Sequence, residues 1–465
     1  MPAVRRFLGS FEGRLTLVAL VGLAVRVAFT LVARRDQDLG FSDASYYHLQ
    51  GRLLANGRGF LEPFLALDEP PTEAPGGAHP PLYSLYFAFW SAFGLETPLQ
   101  HRLASCLLGA AAVAVIGLAT RRIAGDRAGL VAAAIAAIYG NLWINDVMLA
   151  AESLFALTVA WAIYTTYTLW KEPTAWHAAL FGVATASAAL TRAEAIVYFP
   201  LILVPVVLTR RTLAMRRRIE LIAVGGVVGA MLVSPWVLYN LSRFEEPTYL
   251  SVGSGYTLML GNCDATYDFS KNSVGYWNPG CDEVGPPEGE LDQSVLEVTY
   301  RERGLDYIED HLTEFPVIVG VRILRVLDLF RPWENIGLNT LIERRGLVPG
   351  RIATTIYYAL TALSLYGLWL LHRRRVMIWP FVAIFLVLCA TMLVAFGLTR
   401  YRVPWDVAVV ILAAVALDDI VSAGRRRTSD PASSASERSR ASRSASGCGP
   451  GIPARSERER KYGAP

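Results

Sequence analysis

Charge is scarce in this chain. Of its 465 residues, Asp, Glu, Lys and Arg together make up 18%, against about a quarter in soluble proteins. That shortage argues against an ordinary soluble protein. The arginines that are present gather at the ends of apolar runs, so they carry topology and do not mark a nucleic-acid surface. Cysteine is scarce as well, five residues in all. Cys106 and Cys389 fall in apolar stretches and read as small buried hydrophobes, and Cys448 lies in a polar tail. Only Cys263 and Cys281 share a polar segment where a disulfide is the natural pairing. No repeat marks a solenoid. Leu15–Ala33 has no small-residue cleavage site before its charged flank, so a cleaved signal peptide is not expected.

What the chain has is apolar runs of about twenty residues, the length that crosses a bilayer as a helix. The expected crossings are Leu15–Ala33, Leu103–Thr120, Ala128–Leu142, Leu154–Trp170, Ala178–Leu190, Ala195–Leu208, Leu221–Leu241, Ile352–Leu371, Val376–Leu398 and Val403–Val421. Basic clusters at Arg5/Arg6, Arg121/Arg122, Lys171, Arg210/Arg211, Arg216–Arg218, Arg373–Arg375 and Arg425–Arg427 mark their cytoplasmic ends. The alternation puts both termini in the cytoplasm and makes this a multi-pass protein of the cell membrane. Pro81–Phe93 is apolar but short. Counting it as a crossing would turn Arg121/Arg122 outward, so it reads as an interfacial or re-entrant helix. The expected fold is an all-α polytopic membrane domain over residues 1–422, followed by a disordered tail, 423–465. Two large outer segments result, Arg34–Arg102 and Ser242–Gly350. The second reads as a small cap, in which amphipathic Phe315–Phe330 is expected to lie on the membrane.

Four outer motifs carry ionisable and aromatic side chains. Asp43 is followed by Tyr46, Tyr47 and His48. His79 precedes two prolines that fix an extended entry to the interfacial helix. Arg192 and Glu194 make a charged turn between apolar runs, where ionisable groups are either paired or functional. The last motif joins Pro235–Asn240, Arg243, Gly253–Tyr256 and Leu260–Asn262. One acid, several cations and many aromatics at an outer leaflet suit a sugar carried on a polyprenyl phosphate. Arginine pairs bidentately with phosphate oxygens. The leaving phosphate needs little protonation, so one carboxylate suffices to take the acceptor's proton. Arg192 and Arg243, with Arg400 or Arg402, are the candidates for the donor phosphate. Tyr46, Tyr47 and Tyr256 are candidate sugar- or acceptor-facing rings, although belt tyrosines at a lipid interface explain them equally.

The order SDASYYHLQGRLLANGRGF, HPPLYSLYFAFWSAFG, AALTRAEAIVYFP, SPWVLYN…GYTLMLGN and LTRYRVP resembles the membrane glycosyltransferases of the GT-C fold. The likeness is to the bacterial glycosyltransferase family 39 group, related to protein O-mannosyltransferases and the lipid A aminoarabinose transferase. It runs from about Leu15 to about Val421. The resemblance implies inversion at the anomeric carbon with Asp43 as base. It also implies a second acid, filled here by Glu152 in preference to Asp146, though a helix-end acid accounts for Glu152 as well. The candidate substrate contacts are Tyr46, Tyr47, His48, His79, Arg192, Glu194, Arg243, Tyr256, Asn262, Arg400 and Tyr401. Some relatives carry Lys where this chain has His79, which makes a phosphate contact there depend on pH. No zinc-site spacing is present, and neither a metal nor another cofactor is expected, although Asp36-Gln37-Asp38 just before Asp43 does have the Asp-x-Asp spacing. The expected partners are a polyprenyl-phosphate sugar, an extracytoplasmic acceptor and the bilayer. A transporter or flippase of lipid-linked glycans is the alternative, but it should show repeated halves and spans broken at mid-membrane.

Overall fold

The computed structural model describes residues 9–40, 42–67, 72–282 and 289–429. Arg5, Arg6, Phe41 and the segment 430–465, with Cys448 and most of the expected tail, lie outside the described residues. Residues up to Asp418 pack as one compact unit.

Helix α1 (Phe11–Phe29) starts where the Ser10 hydroxyl accepts the Gly13 N–H, and it runs on through a π-turn, Thr30–Arg34. Three short helices follow: α2 (Asp43–Ala55), α3 (Pro63–Ala66) and α4 (Leu82–Ser91). At about 1.5 Å per residue the ten residues of α4 are too short to cross. It packs Tyr83 and Phe87 inward and leaves Leu85 and Phe89 exposed, as an interfacial helix should. Helix α5 (Pro98–Ala124) opens on a capping box in which Thr97 and Gln100 satisfy each other's backbone N–H groups, with Pro98 at the first helical position. At Gly125 φ is +94°, a left-handed conformation that turns the chain into α6 (Asp126–Ile138). A 51° bend separates α6 from α7 (Gly140–Val147).

Next come α8 (Glu152–Lys171), α9 (Ala175–Ala189), the 3₁₀ and π turns of Ala193–Leu203, α10 (Val204–Leu208) and α11 (Met215–Leu241). The cap holds α12 (Ser254–Gly261), α13 (Asp264–Tyr267), α14 (Gln293–Asp310), α15 (Phe315–Val326) and α16 (Pro332–Glu343). The chain returns to the bundle through α17 (Leu347–Arg373), α18 (Trp379–Thr391) and α19 (Val403–Ser429). Among the described residues there is no strand, only an isolated bridge between Leu61 and Pro75.

A helix stands in each expected crossing. Five are long and apolar enough to span by themselves, or six when the bent pair α6–α7 is taken as one. Helix α8 falls short on composition because it carries several threonines. Thr158, Thr165, Thr166 and Thr168 each donate back to the carbonyl four residues earlier, so their hydroxyls are satisfied inside the bundle. The core is densest around α19, where every residue from Val407 to Ala416 is buried. A helix apolar on all sides belongs in such a place.

Two expectations change. The tail was expected from Ala423, but α19 continues to Ser429. Phe315–Phe330 does not use its charges on a membrane surface: Arg322, Arg325 and Asp328 are all buried. Arg322 donates to Gly261 O and Asn262 Oδ1, and Arg325 to Val274 O and Asn272 O, so these guanidiniums hold the cap together from inside. Cys263 and Cys281 are joined as expected, with Cα atoms 5.5 Å apart.

The tightest helix crossing yields a test. A Cβ on Gly367 would stand 1.9 Å from the Leu412 carbonyl oxygen, a backbone atom that cannot move without shifting α19. Gly367→Ala should destabilise the bundle by about 1–3 kcal/mol, read as a lower melting temperature in detergent. Gly226→Ala, at a position with open space around it, should leave the melting temperature unchanged or raise it.

Candidate functional site

Asp43 is the first residue of α2, where the helix N-terminus favours an anion. Ser42, just ahead of it, has extended backbone and donates its hydroxyl to Leu39 O. The Asp43 carboxylate is therefore free to reach outward across the fold. Its Oδ2 accepts from Arg400 Nη1 at 2.7 Å, and its Oδ1 lies 3.6 Å from His79 Nε2. Tyr46 and Tyr47, three and four residues on, share its helix face. The Tyr47 ring stacks on His79 at 4.8 Å, and Tyr46 meets His79 edge-on at 5.0 Å.

The charged turn arrives beside this group because Leu82 N donates to Leu190 O at 2.9 Å, tying the His79-Pro-Pro entry to the end of α9. Arg192 donates to Glu152 Oε1 at 3.0 Å and to Glu194 Oε1 at 3.2 Å. Glu152 opens α8 and is buried. Arg400 Nε lies 3.9 Å from Glu152 Oε1 and 3.7 Å from Glu343 Oε1. The Tyr401 ring sits between the two arginines, 5.1 Å from Arg192 and 5.7 Å from Arg400. Asp43, Tyr46, Tyr47, His79, Glu152, Arg192, Glu194, Arg400 and Tyr401 thus form one connected group at one end of the bundle.

The structure places the remaining candidates elsewhere. His48, five residues after Asp43, is turned about 140° round the helix. It faces His101 at 3.1 Å between ring nitrogens, and burial with the neighbouring His101 pushes its pKa down to about 3, so it stays neutral. Arg243 spends its donors on Phe60 O, Gly76 O and the Asn240 side chain, pinning Phe60 and Gly76 to the end of α11. Arg402 is buried against Asp328 and Asp406. Asn262 is buried, accepting from Arg322 and Tyr267. Tyr256 lies against Tyr300 in the cap, at 5.1 Å. Asp146 pairs with Arg26 at 2.6 Å inside the bundle.

Glu343 and its partner Arg345 were not singled out from the sequence, although a signal existed. Ile342-Glu343-Arg344-Arg345 puts two arginines at the non-cytoplasmic end assigned to a span, where the charge rule for flanks gives them no topological purpose. Among the described residues, no three His, Cys, Asp or Glu side chains are grouped to hold a metal ion.

Burial pushes the Asp43 carboxyl up, but Arg400 and then His79 outweigh it and hold it well below the usual carboxylate range. Such a group stays ionised until the pH falls through its low folded value, so the Asp43–Arg400 pair stabilises the fold above the unfolded pKa of about 3.9. Arg400→Gln should lower the melting temperature at neutral pH. The gap to the wild type should narrow as acid protonates Asp43, first in the variant, where burial is no longer offset by Arg400, and close once the pH has fallen through the wild type's low folded value. A gap unchanged from neutral pH down to about pH 2 would show that Asp43 is not held in this way.

Residues 78–239 match the family model for dolichyl-phosphate-mannose-protein mannosyltransferase. No curated protein matches in sequence. Among solved structures, the chain is similar to the oligosaccharyltransferase AglB from Archaeoglobus fulgidus in complex with an inhibitory peptide and a dolichol-phosphate. That likeness has 15% identity and TM-score 0.54, covering 91% of this chain and 52% of that one. The same oligosaccharyltransferase tethered to an acceptor peptide gives TM-score 0.51 at 15% identity, with coverages of 89% and 50%. ArnT from Cupriavidus metallidurans, bound to undecaprenyl phosphate, gives a weaker 0.41 at 16% identity, with coverages of 86% and 77%. The chain therefore spans about half the length of the AglB structures it matches. The family match and the two oligosaccharyltransferase likenesses give the chain the GT-C fold, as its motifs implied.

Proposed function

We propose that the chain transfers a sugar from a polyprenyl-phosphate donor to an extracytoplasmic acceptor, inverting the anomeric carbon, with Asp43 as general base. The observation that carries this reading is the Asp43–Arg400 pair. It joins a carboxylate to a guanidinium at the rim of an apolar bundle, with the two side chains 37% and 23% exposed. Lipid fits among the apolar helices, and phosphate fits the guanidinium. The family description over residues 78–239 names a dolichyl-phosphate-linked sugar, and the AglB structure holds a dolichol-phosphate, which supports a lipid-linked donor.

On this reading the donor phosphate pairs with Arg400 and draws it off Asp43. The acceptor's O–H or N–H then gives its proton to an Asp43 oxygen. The acceptor atom bonds to the anomeric carbon as the bond from that carbon to the phosphate oxygen breaks. Polyprenyl phosphate leaves with the negative charge, which arginine stabilises. His79, backed by the buried rings of Tyr46 and Tyr47, forms the wall against which the sugar lies. Arg192, already held by Glu152 and Glu194, keeps Tyr401 and Glu152 in place beside Arg400. The end of the bundle carrying these groups is the outer one, the apolar helices outside the five independent spanners also cross, and both termini are cytoplasmic. Residues 1–422 make up the catalytic membrane domain.

Membranes containing the protein, incubated with polyprenyl-phosphate sugars, should yield a labelled transfer product. Asp43→Asn should cut turnover by about 10²–10⁴-fold while donor binding survives. Normal turnover in that variant, with the fold intact, would remove Asp43 from the reaction.

A further inference from the structure

Arg400 is surrounded by more anions than it bonds. Nη1 takes Asp43 Oδ2 at 2.7 Å, while Nε is a buried donor with no hydrogen-bond partner. That unspent N–H lies 3.7 Å from Glu343 Oε1 and 3.9 Å from Glu152 Oε1. Glu152 is committed to Arg192 at 3.0 Å. Glu343 forms an ion pair with Arg345 Nε through its other oxygen at 2.7 Å, although that oxygen too accepts no hydrogen bond, and its Oε1 is the carboxylate oxygen nearest the Arg400 Nε.

The backbone around Glu343 is built to keep it there. It ends α16, and Arg344 follows with φ +54°, a left-handed conformation that a non-glycine residue adopts only where its surroundings impose it. Three contacts impose it. Arg34 Nη2 donates to Arg344 O at 2.8 Å, Arg344 Nη1 donates to Asp38 O at 3.1 Å, and Arg345 Nη2 donates to Asn145 Oδ1 at 3.2 Å. Gly40, three residues before Asp43, packs so closely that a Cβ there would stand 2.9 Å from Arg344 Nη2. The turn carrying Glu343 is therefore locked against the stretch that carries Asp43.

We infer that Glu343 is a positioning residue. Its carboxylate holds Arg400 at the point from which the guanidinium passes between Asp43 and an incoming phosphate. The catalytic consequence rests on the proposed sugar transfer, while the positioning itself does not. With Glu343 neutralised, Arg400 settles on Asp43 and the base is released less readily. Donor binding loses through that tighter pair and gains because an anion beside the phosphate has been removed, so the two changes offset.

The test pairs turnover with a measurement that needs no substrate. In Glu343→Gln, kcat should fall roughly 10-fold while the donor KM stays level or drops, and Glu343→Asp should recover most of the loss. A merely structural role would lower the active fraction without that split and without rescue by Asp. In the substrate-free protein, melting temperatures of wild type, Asp43→Asn, Glu343→Gln and the double variant form a cycle. Among the ion pairs of the described residues, Asp43 and Glu343 meet only through Arg400. Non-additive shifts that vanish when the cycle is repeated on Arg400→Gln therefore report the shared guanidinium. Additive shifts overturn the inference whatever the activity. Non-additive shifts with an unchanged kcat in an active enzyme overturn it too. Should wild type transfer no sugar from any polyprenyl phosphate, the proposed reaction fails, and non-additivity alone then upholds the positioning of Arg400.

Discussion

A guanidinium enclosed by apolar helices must be matched by carboxylates, and Arg402 meets that demand at the junction between cap and bundle. It lies 2.8 Å from Asp328 of the cap and 3.2 Å from Asp406 of the last helix, over the Tyr357 ring at 3.6 Å. Tyr139 donates to the same Asp406 at 2.9 Å. Removing one partner of such a buried group costs on the order of 3–5 kcal/mol, because the other charge is then left uncompensated. The short 3₁₀ turn Thr399–Arg402 is thereby fixed. Two residues earlier in a turn of three residues per turn, Arg400 faces away from that core, and it reaches Asp43. The position of the candidate site thus follows from the position of a residue outside it.

The same contact chemistry serves two ends, and solvent access separates them. Arg26 and Asp146 meet at 2.6 Å with both side chains only 1% exposed, and Arg26 donates further to the Gly22 and Ala137 carbonyls. Nothing can exchange with that pair, so it locks α1 to the α6–α7 bend. Asp43 and Arg400 meet at 2.7 Å but stand partly in the open. Water screens an accessible pair, which lowers its net worth and lets an incoming anion compete for the arginine. Arg243 shows a third use: its fork is filled by two backbone carbonyls and Asn240, and it braces a loop without holding charge. Partners and exposure, more than residue type, sort these arginines.

This explains what could be read from the chain beforehand. Apolar runs and flanking arginines determine where helices lie, because the bilayer leaves the backbone few alternatives. By sequence His48 groups with Tyr46 and Tyr47 as a substrate contact, whereas the helical period of α2 sets Tyr46 and Tyr47 beside His79 and turns His48 toward His101. The cap was less legible. In Phe315–Phe330 an amphipathic period announces one polar face, but it does not say whether that face meets water or the carbonyls of another segment. Here Arg322 and Arg325 found carbonyls. Asn262 and Tyr256 belong to the same cap and were misleading for the same reason: contacts made across about sixty residues, such as Arg322 to Asn262, leave no local period. Glu343 was hidden because its role depends on Arg400, which is remote in sequence.

The resting geometry also constrains any reaction at this end of the bundle. A carboxylate kept well below its usual range by Arg400 and His79 is a poor proton acceptor, since basicity falls with pKa. On the proposed reading the substrate-free arrangement is therefore a resting one. Either the arginine departs from Asp43 or the proton goes elsewhere. The departure has a ready cause on the proposed reading, because the donor brings the one group a guanidinium prefers to a single carboxylate oxygen, a phosphate that offers paired oxygens. Binding the donor would then strengthen the base at the moment a sugar is present to be attacked. In the absence of donor, Asp43 would remain neutralised, and water near the rim would meet no active base. On this reading the site gains order of events from electrostatics, because the cation needed for binding and the base needed for chemistry hold each other until the donor separates them.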